Sequence, residues 1–152
     1  MTPQEIVENM DPFYALFGQV NIFGNHLQAV GDSFYEEITY KQFLLLICLK
    51  VFETPPTANE LAEVMGCSHQ NVKVILEKLE AKGIVTLTRD ENDQRKLRIA
   101  ATKKSEDISE KYQNRQKDFM AKLYDGISKE EAKLTLQILS KMENNLSKIV
   151  TK

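Results

Sequence analysis

The spacing of apolar residues in this 152-residue chain changes once, immediately after Gly83. Before that point, apolar residues recur every three or four positions, which is the spacing of helices that bury one face. After it, apolar and polar residues alternate, at Val85, Leu87, Leu97 and Ile99. Alternation is typical of half-buried strands, and the charged stretch between the two pairs predicts the tip of a hairpin. We therefore expect a mainly α-helical protein with one short β-hairpin.

Capping residues and helix-breaking residues divide the rest of the sequence into helices. Helices should begin after side chains that accept hydrogen bonds from free backbone amides, at Asp11, Thr39, Thr57, Ser68 and Ser128, and a further long helix should begin at Thr102. They should end near Asp32, Phe52, Met65, Gly83 and Tyr124. Gly66 separates the third helix from the fourth by one short turn. Two helices joined by a tight turn should therefore lie directly before the hairpin.

The fourth helix begins with side chains suited to nucleic acid, namely Ser68, His69, Gln70, Asn71 and Lys73. The amide groups of Gln70 and Asn71 can pair with the edge of adenine in the major groove. The free backbone amides at the helix start attract phosphate, and Ser68 can cap the helix. His69 and Lys73 can contact the DNA backbone. We expect these residues to bind double-stranded DNA.

Three of the four arginines of the chain lie within a ten-residue segment of the hairpin, at Arg89, Arg95 and Arg98. The planar, weakly hydrated guanidinium of Arg95 suits a narrow, electronegative minor groove. Lys96 and Arg98 should add phosphate contacts. Asp93 should orient the tip by pairing with an arginine, for which Arg89 is a candidate. All four basic residues are therefore candidates for DNA contact.

Charge and hydropathy exclude several classes of protein. The net charge is −2, but residues 1–40 contain six acids and no lysine or arginine, whereas residues 41–152 carry 20 bases and 16 acids. The longest apolar run, Phe43 to Leu49, is far shorter than the roughly 20 residues that cross a bilayer. The N-terminus lacks the basic start and apolar stretch of a signal peptide. We expect a cytoplasmic protein that does not bind a membrane.

Catalysis and metal binding find little support in the sequence. His26 and His69 are the two histidines, and neither has a serine, cysteine or carboxylate at a catalytic spacing. The sequence has no Cys-x-x-Cys pair and no glycine-rich phosphate loop. We expect a protein that is not an enzyme, with no metal site and no cofactor.

Two alternatives remain open beside a simple DNA-binding role. Cys67 precedes the start of the fourth helix, where the helix dipole would favour its thiolate, so the chain could be a thiol-based redox-sensing regulator. Cys48 lies in an apolar helix and should be a core residue. The second alternative is a protein-interaction module without DNA binding, because a fold does not dictate a function. The clustered arginines and the amide-bearing helix start favour DNA over this module.

The first and last long helices each carry an apolar stripe. The stripe of the first contains large aromatic residues, including Phe13 and Phe17. The last has Leu139, Met142, Leu146 and Ile149 at alternating three- and four-residue steps, which is typical of a seam with a partner helix. A second copy would bury both stripes, and closed two-fold assembly is the commonest oligomer of soluble proteins. We expect a homodimer.

Several short motifs occur together across the middle of the chain. They are Glu60-Leu61-Ala62, Gly66-Cys67-Ser68, Leu79-Glu80-Ala81-Lys82-Gly83-Ile84-Val85, Asp90-x-x-Asp93-x-Arg95 and Thr102-x-Lys104. By these motifs the chain resembles the MarR family of winged helix-turn-helix transcriptional regulators, firmly over residues 38–102 and by helix layout outside them. Four positions depart from the family pattern. Gln94 precedes Arg95 where members often carry paired arginines, and Val74 stands where relatives frequently carry an arginine. Ala101 and Ser105 replace the leucine and glycine common around Thr102.

The resemblance implies a winged helix-turn-helix DNA-binding domain at residues 39–102, with a β-hairpin wing. It implies a helical dimerisation region formed by residues 1–38 and 103–152, in which the long terminal helices of two copies interlock. It also implies a ligand cleft and transcriptional control, usually repression, relieved by small phenolic or other apolar compounds. The chain should therefore be a sequence-specific regulator that acts as a homodimer on a two-fold operator.

Overall fold

The computed structural model describes residues 2–149. Within them lie seven helices and two strands. The helices are α1 (Pro3–Glu8), α2 (Pro12–Asp32), α3 (Tyr40–Leu49), α4 (Ala58–Met65), α5 (His69–Ala81), α6 (Lys103–Leu123) and α7 (Lys129–Leu146). The strands are β1 (Val85–Arg89) and β2 (Leu97–Ala101), which pair antiparallel. The predicted fold class, mainly helical with one short hairpin, is therefore confirmed.

The chain divides into two compact units, residues 1–110 and 111–152. The core of the first unit is contributed by α3, α4, α5 and the hairpin together. Its most deeply buried side chains are Leu45, Leu61, Val72, Leu76, Leu79, Ile84, Val85 and Ile99. Full burial of each such side chain favours folding by roughly 1.5–3 kcal/mol, so these contacts set the position of α5 beside the hairpin.

Side-chain caps fix the starts of the helices. The side chains of Asp11, Thr39, Thr57, Ser68 and Ser128 each accept a hydrogen bond from a backbone amide of the following turn, as the sequence predicted. Gly66 ends α4 with φ of 63°, a left-handed conformation that disfavours residues with a Cβ. The chain thereby turns from α4 into α5 within two residues, Cys67 and Ser68. This turn gives the helix-turn-helix its geometry.

Two features at the helix ends differ from the sequence-based prediction. The helix that starts at Tyr40 ends at Leu49, not at Phe52, because the amides of residues 50–52 bond to carbonyls three positions back and tighten the chain into a turn. The sequence analysis also missed α1. Its signal was a capping box, in which Thr2 and Glu5 bond each other's backbone amides.

The hairpin pairs Leu87 with Ile99 and Arg89 with Leu97. Ile99 is fully buried, and its amide donates to the carbonyl of Pro56 at 2.9 Å, which joins β2 to the segment before α4. Leu97 was expected on the buried face, but it is 42% exposed. The prediction was wrong because Leu97 lies opposite Arg89 at the tip end of the ladder. The core ends two pairs earlier, at Leu87 and Ile99.

The second unit contains the end of α6 and all of α7. In it, Leu134, Leu136 and Leu146 are 57–65% exposed. The predicted seam is also open to solvent at Leu139, and Ile149, which was expected on this helix, lies beyond the end of α7 at Leu146 and is 65% exposed. Burial of this seam by a second copy, and the predicted dimerisation region as a whole, stay predictions. In the described part of the chain, no helix is long and apolar enough to span a membrane.

Candidate nucleic-acid interface

The buried side of α5 determines which of its residues face solvent. Val72, Leu76 and Leu79 are buried at 0–2% exposure and anchor the helix in the core. The candidate DNA-contacting residues at its start are all exposed, namely Ser68, His69, Gln70, Asn71 and Lys73. Ser68 Oγ also accepts a hydrogen bond from the amide of Asn71 at 3.2 Å. The predicted cap is therefore formed, and the helix start is open to a partner.

The start of α4, one flank of α5 and the hairpin enclose a cavity of about 730 Å³ within the first unit. Its charged and polar lining comes from all three elements. The basic and polar members are Asn59, His69, Lys73, Arg95, Lys96 and Arg98, and the acidic members are Glu60, Glu77 and Glu80. Its apolar floor includes Leu76, Leu87 and Ile99. The structure thus brings two of the predicted helix residues, His69 and Lys73, to one concave surface with the predicted hairpin residues Arg95, Lys96 and Arg98.

Gln70 and Asn71 do not lie on the flank of α5 that lines this cavity. Residues three or four positions apart share a helix face, and successive residues are rotated by about 100°. Because Val72 and Leu76 point to the core, Gln70 and Val74 point almost directly away from it. Asn71 lies on the flank opposite Lys73. The two amide side chains are therefore exposed on α5, but on different faces of the helix.

The hairpin tip is organised by the carboxylate of Asp90. Its Oδ1 accepts hydrogen bonds from the amides of Asn92 and Asp93 at 2.8 and 2.9 Å, and its Oδ2 accepts from Arg98 Nε at 2.6 Å. The bond from Arg98, followed by the two amide bonds, lowers the pKa of Asp90 from 3.8 to about 2. The carboxylate therefore stays ionised and holds the turn at any physiological pH.

Arg98 links this turn to α4. Besides its bond to Asp90, its Nη1 lies 3.5 Å from Glu60 Oε2 and 3.3 Å from the carbonyl of Pro55. The bond to Asp90 is the main reason that the pKa of Arg98 is raised. The sequence analysis assigned Arg98 to phosphate contact. Its guanidinium instead has two carboxylates as neighbours, and the phosphate contact stays a prediction.

Arg95 projects from the tip with 93% of its side-chain surface open to solvent. Its Nε lies 3.3 Å from Asp93 Oδ1, and Lys96 Nζ lies 4.0 Å from Asp93 Oδ2. Asp93 thus pairs with an arginine, as expected, but Arg89 does not serve that pairing. Arg89 Nη1 donates to the carbonyl of Gln94 at 2.7 Å and so braces the tip from the first strand.

Sequence reasoning missed three contributions to this surface. Asp90 and Glu60 each appeared only within a motif, yet both hold Arg98. Val74 was noted only as a departure, although it is 42% exposed on the outward side of α5. The spacing of the Asp90-x-x-Asp93 motif was the available signal for the turn. The 38-residue separation of Glu60 and Arg98 left no local signal for their contact.

The order of these elements matches a known family. Residues 38–97 fit the model of the MarR family, and this segment begins before α3 and extends into β2. By this match, the segment from α3 to the start of β2 is similar to the MarR family. The matched segment contains every candidate DNA-contacting residue except Arg98. MarR-family proteins are DNA-binding transcriptional regulators.

Solved structures of MarR-family regulators share the fold of this chain. The MarR/EmrR-family regulator from Acinetobacter sp. ADP1 has 16% identity and a TM-score of 0.80, with 92% of this chain and 100% of that chain covered. MepR of S. aureus, solved in complex with DNA, has 22% identity and a TM-score of 0.72, with 88% and 96% covered. BpsR of Bordetella bronchiseptica, whose DNA binding is regulated by 6-hydroxynicotinic acid, has 16% identity and a TM-score of 0.71, with 84% and 98% covered. At these identities the likeness shows the winged helix-turn-helix fold.

The two cysteines differ in their surroundings. Cys48 is buried, as predicted, and burial, with a smaller contribution from the charge of Cys67, raises the pKa of its thiol. Cys67 is half-buried, and both thiols are free. Among residues 2–149, no group of three histidine, cysteine, aspartate or glutamate side chains could hold a metal ion.

Proposed function

We propose that this protein is a sequence-specific DNA-binding transcriptional regulator that acts as a homodimer on a two-fold operator. The observation that carries the proposal is the shared concave surface of α5 and the hairpin. His69 and Lys73 from the helix and Arg95 from the tip line one cavity. Lys73, Arg95, Lys96 and Arg98 outnumber the three glutamates of the lining, Glu60, Glu77 and Glu80, and an excess of positive charge in a concavity attracts the phosphates of a duplex.

In this proposal, α5 lies in the major groove and the hairpin follows the adjacent backbone toward the minor groove. The residues that contact DNA are Ser68, His69, Gln70, Asn71, Lys73, Arg89, Arg95, Lys96 and Arg98. Arg95 enters the minor groove, because its guanidinium is exposed and narrow minor grooves concentrate negative potential. Asp93 and Asp90 keep the tip in position by pairing with Arg95 and Arg98.

Two copies would place two such surfaces on one duplex. The half-sites should then repeat about one helical turn apart, roughly 10 base pairs, with two-fold symmetry. The exposed apolar faces of α2 and α7 support dimerisation, because patches of this kind mark interaction sites. Occupation of a promoter by the dimer would repress transcription.

A small apolar or phenolic compound is proposed to release the dimer from DNA. The support is the likeness to BpsR, whose DNA binding is regulated by 6-hydroxynicotinic acid, an aromatic acid. A ligand that binds the free protein better than the DNA-bound protein must lower DNA affinity by the same factor. Thermal-shift screening with aromatic acids, followed by DNA binding in the presence of each hit, tests this part of the proposal.

Selection of bound sequences from random duplex DNA tests the core of the proposal. The expected result is one motif with two inverted halves about 10 base pairs apart, bound far more tightly than its scrambled version. A second measurement is an electrophoretic shift with the DNA upstream of the protein's own coding sequence. Absence of a selected motif, with no shift at low salt, would favour the alternative of a protein-interaction module.

A further inference from the structure

We infer that Val74 reads the C5-methyl group of a thymine in each half-site, so that the middle of α5 selects an A·T pair by apolar contact. This inference rests on the proposed function, in which α5 enters the major groove. It adds a specificity-determining residue that is neither charged nor capable of hydrogen bonding. Single exposed valines are common on protein surfaces, so the inference depends on where Val74 lies on α5.

Val74 lies on the row of α5 that points most directly away from the core. The buried residues Val72, Leu76 and Leu79 define the inner side of the helix. On the opposite side, Gln70 and Val74 follow each other at a spacing of one turn, and Val74 is 42% exposed. A helix in the major groove presents this outer row most directly to the base edges, while the flank that carries Lys73 approaches a backbone.

The chemistry of the base edges selects the partner of a valine. In the major groove, only thymine offers an apolar group, its C5-methyl, whereas the other bases offer hydrogen-bond donors and acceptors. An isopropyl group placed against guanine or against the amino group of cytosine would remove water from polar atoms without replacing its hydrogen bonds. Contact with a thymine methyl avoids this cost and removes apolar surface from water on both sides.

Gln70 lies one helical turn before Val74 and should select a further A·T pair. Its amide can donate to N7 and accept from N6 of adenine, which is the two-pronged contact that amides make in the major groove. Gln70 and Val74 are four positions apart, which places them about 6 Å apart along the helix axis. The outer row would therefore read neighbouring A·T pairs, one by hydrogen bonds and one by its methyl group.

Replacement of thymine by deoxyuridine tests the inference, because it removes the methyl group and leaves every hydrogen-bonding atom. The duplex selected from random DNA is resynthesised with deoxyuridine at each thymine in turn, at symmetric positions in both halves. At one position, the wild-type protein should lose about fourfold in affinity per half-site, which is the effect of one buried methyl group. Val74→Ala should bind the thymine and deoxyuridine duplexes with nearly equal affinity.

Two variants serve as controls. Val64→Ala removes an equally exposed valine, 46% open to solvent, from α4 and should keep the fourfold discrimination. Gln70→Ala should weaken binding and yet keep the discrimination at the thymine that Val74 contacts. A wild-type protein indifferent to every deoxyuridine, or a Val74→Ala variant that still discriminates, would overturn the inference while DNA binding stands. A wild-type protein that selects no duplex would instead overturn the proposed function.

Discussion

Arg98 donates a hydrogen bond from Nε to Asp90 Oδ2 at 2.6 Å, and this bond ties the second strand of the hairpin to the turn at its tip. The same guanidinium reaches Glu60 on α4. The apolar core supports the hairpin only as far as Ile99, because Leu97 is largely exposed. The position of the tip, and of Arg95 upon it, therefore depends on these charged contacts.

Asp90→Asn should change how the stability of the protein depends on pH. The pKa of Asp90 is lowered from 3.8 to about 2 in the folded state, so its contribution to stability is fully present above pH about 4. That contribution is lost as the pH falls toward about 2, because the unfolded chain takes up the proton first. In thermal unfolding between pH 5 and pH 2, the variant should lose less stability than the wild type.

Glu91→Gln is the matched control for that experiment, because Glu91 is an exposed carboxylate of the same turn. Between pH 4 and pH 2, the melting temperature of this variant should fall with pH as steeply as that of the wild type. An equal loss of thermal stability with falling pH in Asp90→Asn and in the wild type would contradict the ion pair between Asp90 and Arg98.

Arg95→Ala should weaken DNA binding and reduce its dependence on salt, without unfolding the protein. Each phosphate neutralised by a bound cation contributes about 0.9 to the slope of log affinity against log salt. The side chain is 93% exposed, so its removal leaves the core intact. Titration of operator DNA at several salt concentrations should give a slope shallower by roughly one for each bound Arg95.

Arg115→Ala controls for the loss of an arginine in general, since Arg115 lies on α6 and not in the hairpin. It should leave the salt slope unchanged. If Arg95→Ala and the wild type have equal slopes of log affinity against log salt, the hairpin tip does not contact DNA.

Asn71→Ala should relax base preference more than it lowers nonspecific affinity. A good amide–adenine pair contributes about 1–3 kcal/mol of discrimination, and alanine cannot form it. Lys73→Ala should instead lower affinity for all sequences alike, because a lysine bound to phosphate carries no base information. Repeated selection from random DNA distinguishes the two variants. A motif unchanged by Asn71→Ala would mean that this flank of α5 does not reach the bases.

Local signals in the sequence were sufficient for the helix-turn-helix. The caps at Thr57 and Ser68 and the left-handed Gly66 each depend on a few neighbouring residues, so the starts of α4 and α5 could be predicted. The alternation after Gly83 likewise indicated the hairpin. The approach of α5 to the hairpin was expected from the resemblance, and the shared cavity agrees with it.

Side-chain pairing could not be predicted in the same way. Long charged side chains near a turn have several possible partners, and backbone geometry decides among them. Asp93 therefore pairs with Arg95 rather than Arg89, and Arg98 bonds to Asp90 and Glu60 rather than standing free. Leu97 was misplaced because alternation indicates a face of a strand but does not indicate where the core beneath it ends.

Two glycines of α2 should respond in opposite ways to replacement by alanine. A Cβ at Gly31 would clash with the side chain of Tyr40, whereas a Cβ at Gly24 would meet no atom of the described chain within 4 Å. Gly31→Ala should destabilise the fold by about 1–3 kcal/mol through overpacking. Gly24→Ala should stabilise it by about 0.5–1 kcal/mol, because alanine loses less backbone entropy in a helix.

Urea unfolding of the two variants measures this difference in the free energy of unfolding. Gly31→Ala and Gly24→Ala share the chemical change and the helix, so each controls for the other. Equal destabilisation by both would show that the contact between Gly31 and Tyr40 does not limit the packing of α2 on α3.

Charges placed on the exposed stripe of α2 should convert the proposed dimer to a monomer. Phe13 and Phe17 are 83% and 69% exposed in the single chain, although they are large apolar residues on one helix face. If a second copy covers them, Phe13→Glu together with Phe17→Glu would bury two unpaired carboxylates at the interface, which association cannot tolerate. Sedimentation of the wild type should give twice the chain mass of 17.4 kDa, and that of the double variant the chain mass itself.

Val51→Glu is the control for this change, because Val51 is an apolar residue 67% exposed outside α2, in the turn after α3. It should remain dimeric. The double variant should also bind a single half-site about as well as the full operator, because a monomer cannot gain from a second half linked to the first. A double variant that sediments as a dimer would show that α2 is not the interface. A different partner would then have to cover the exposed apolar stripe of α2.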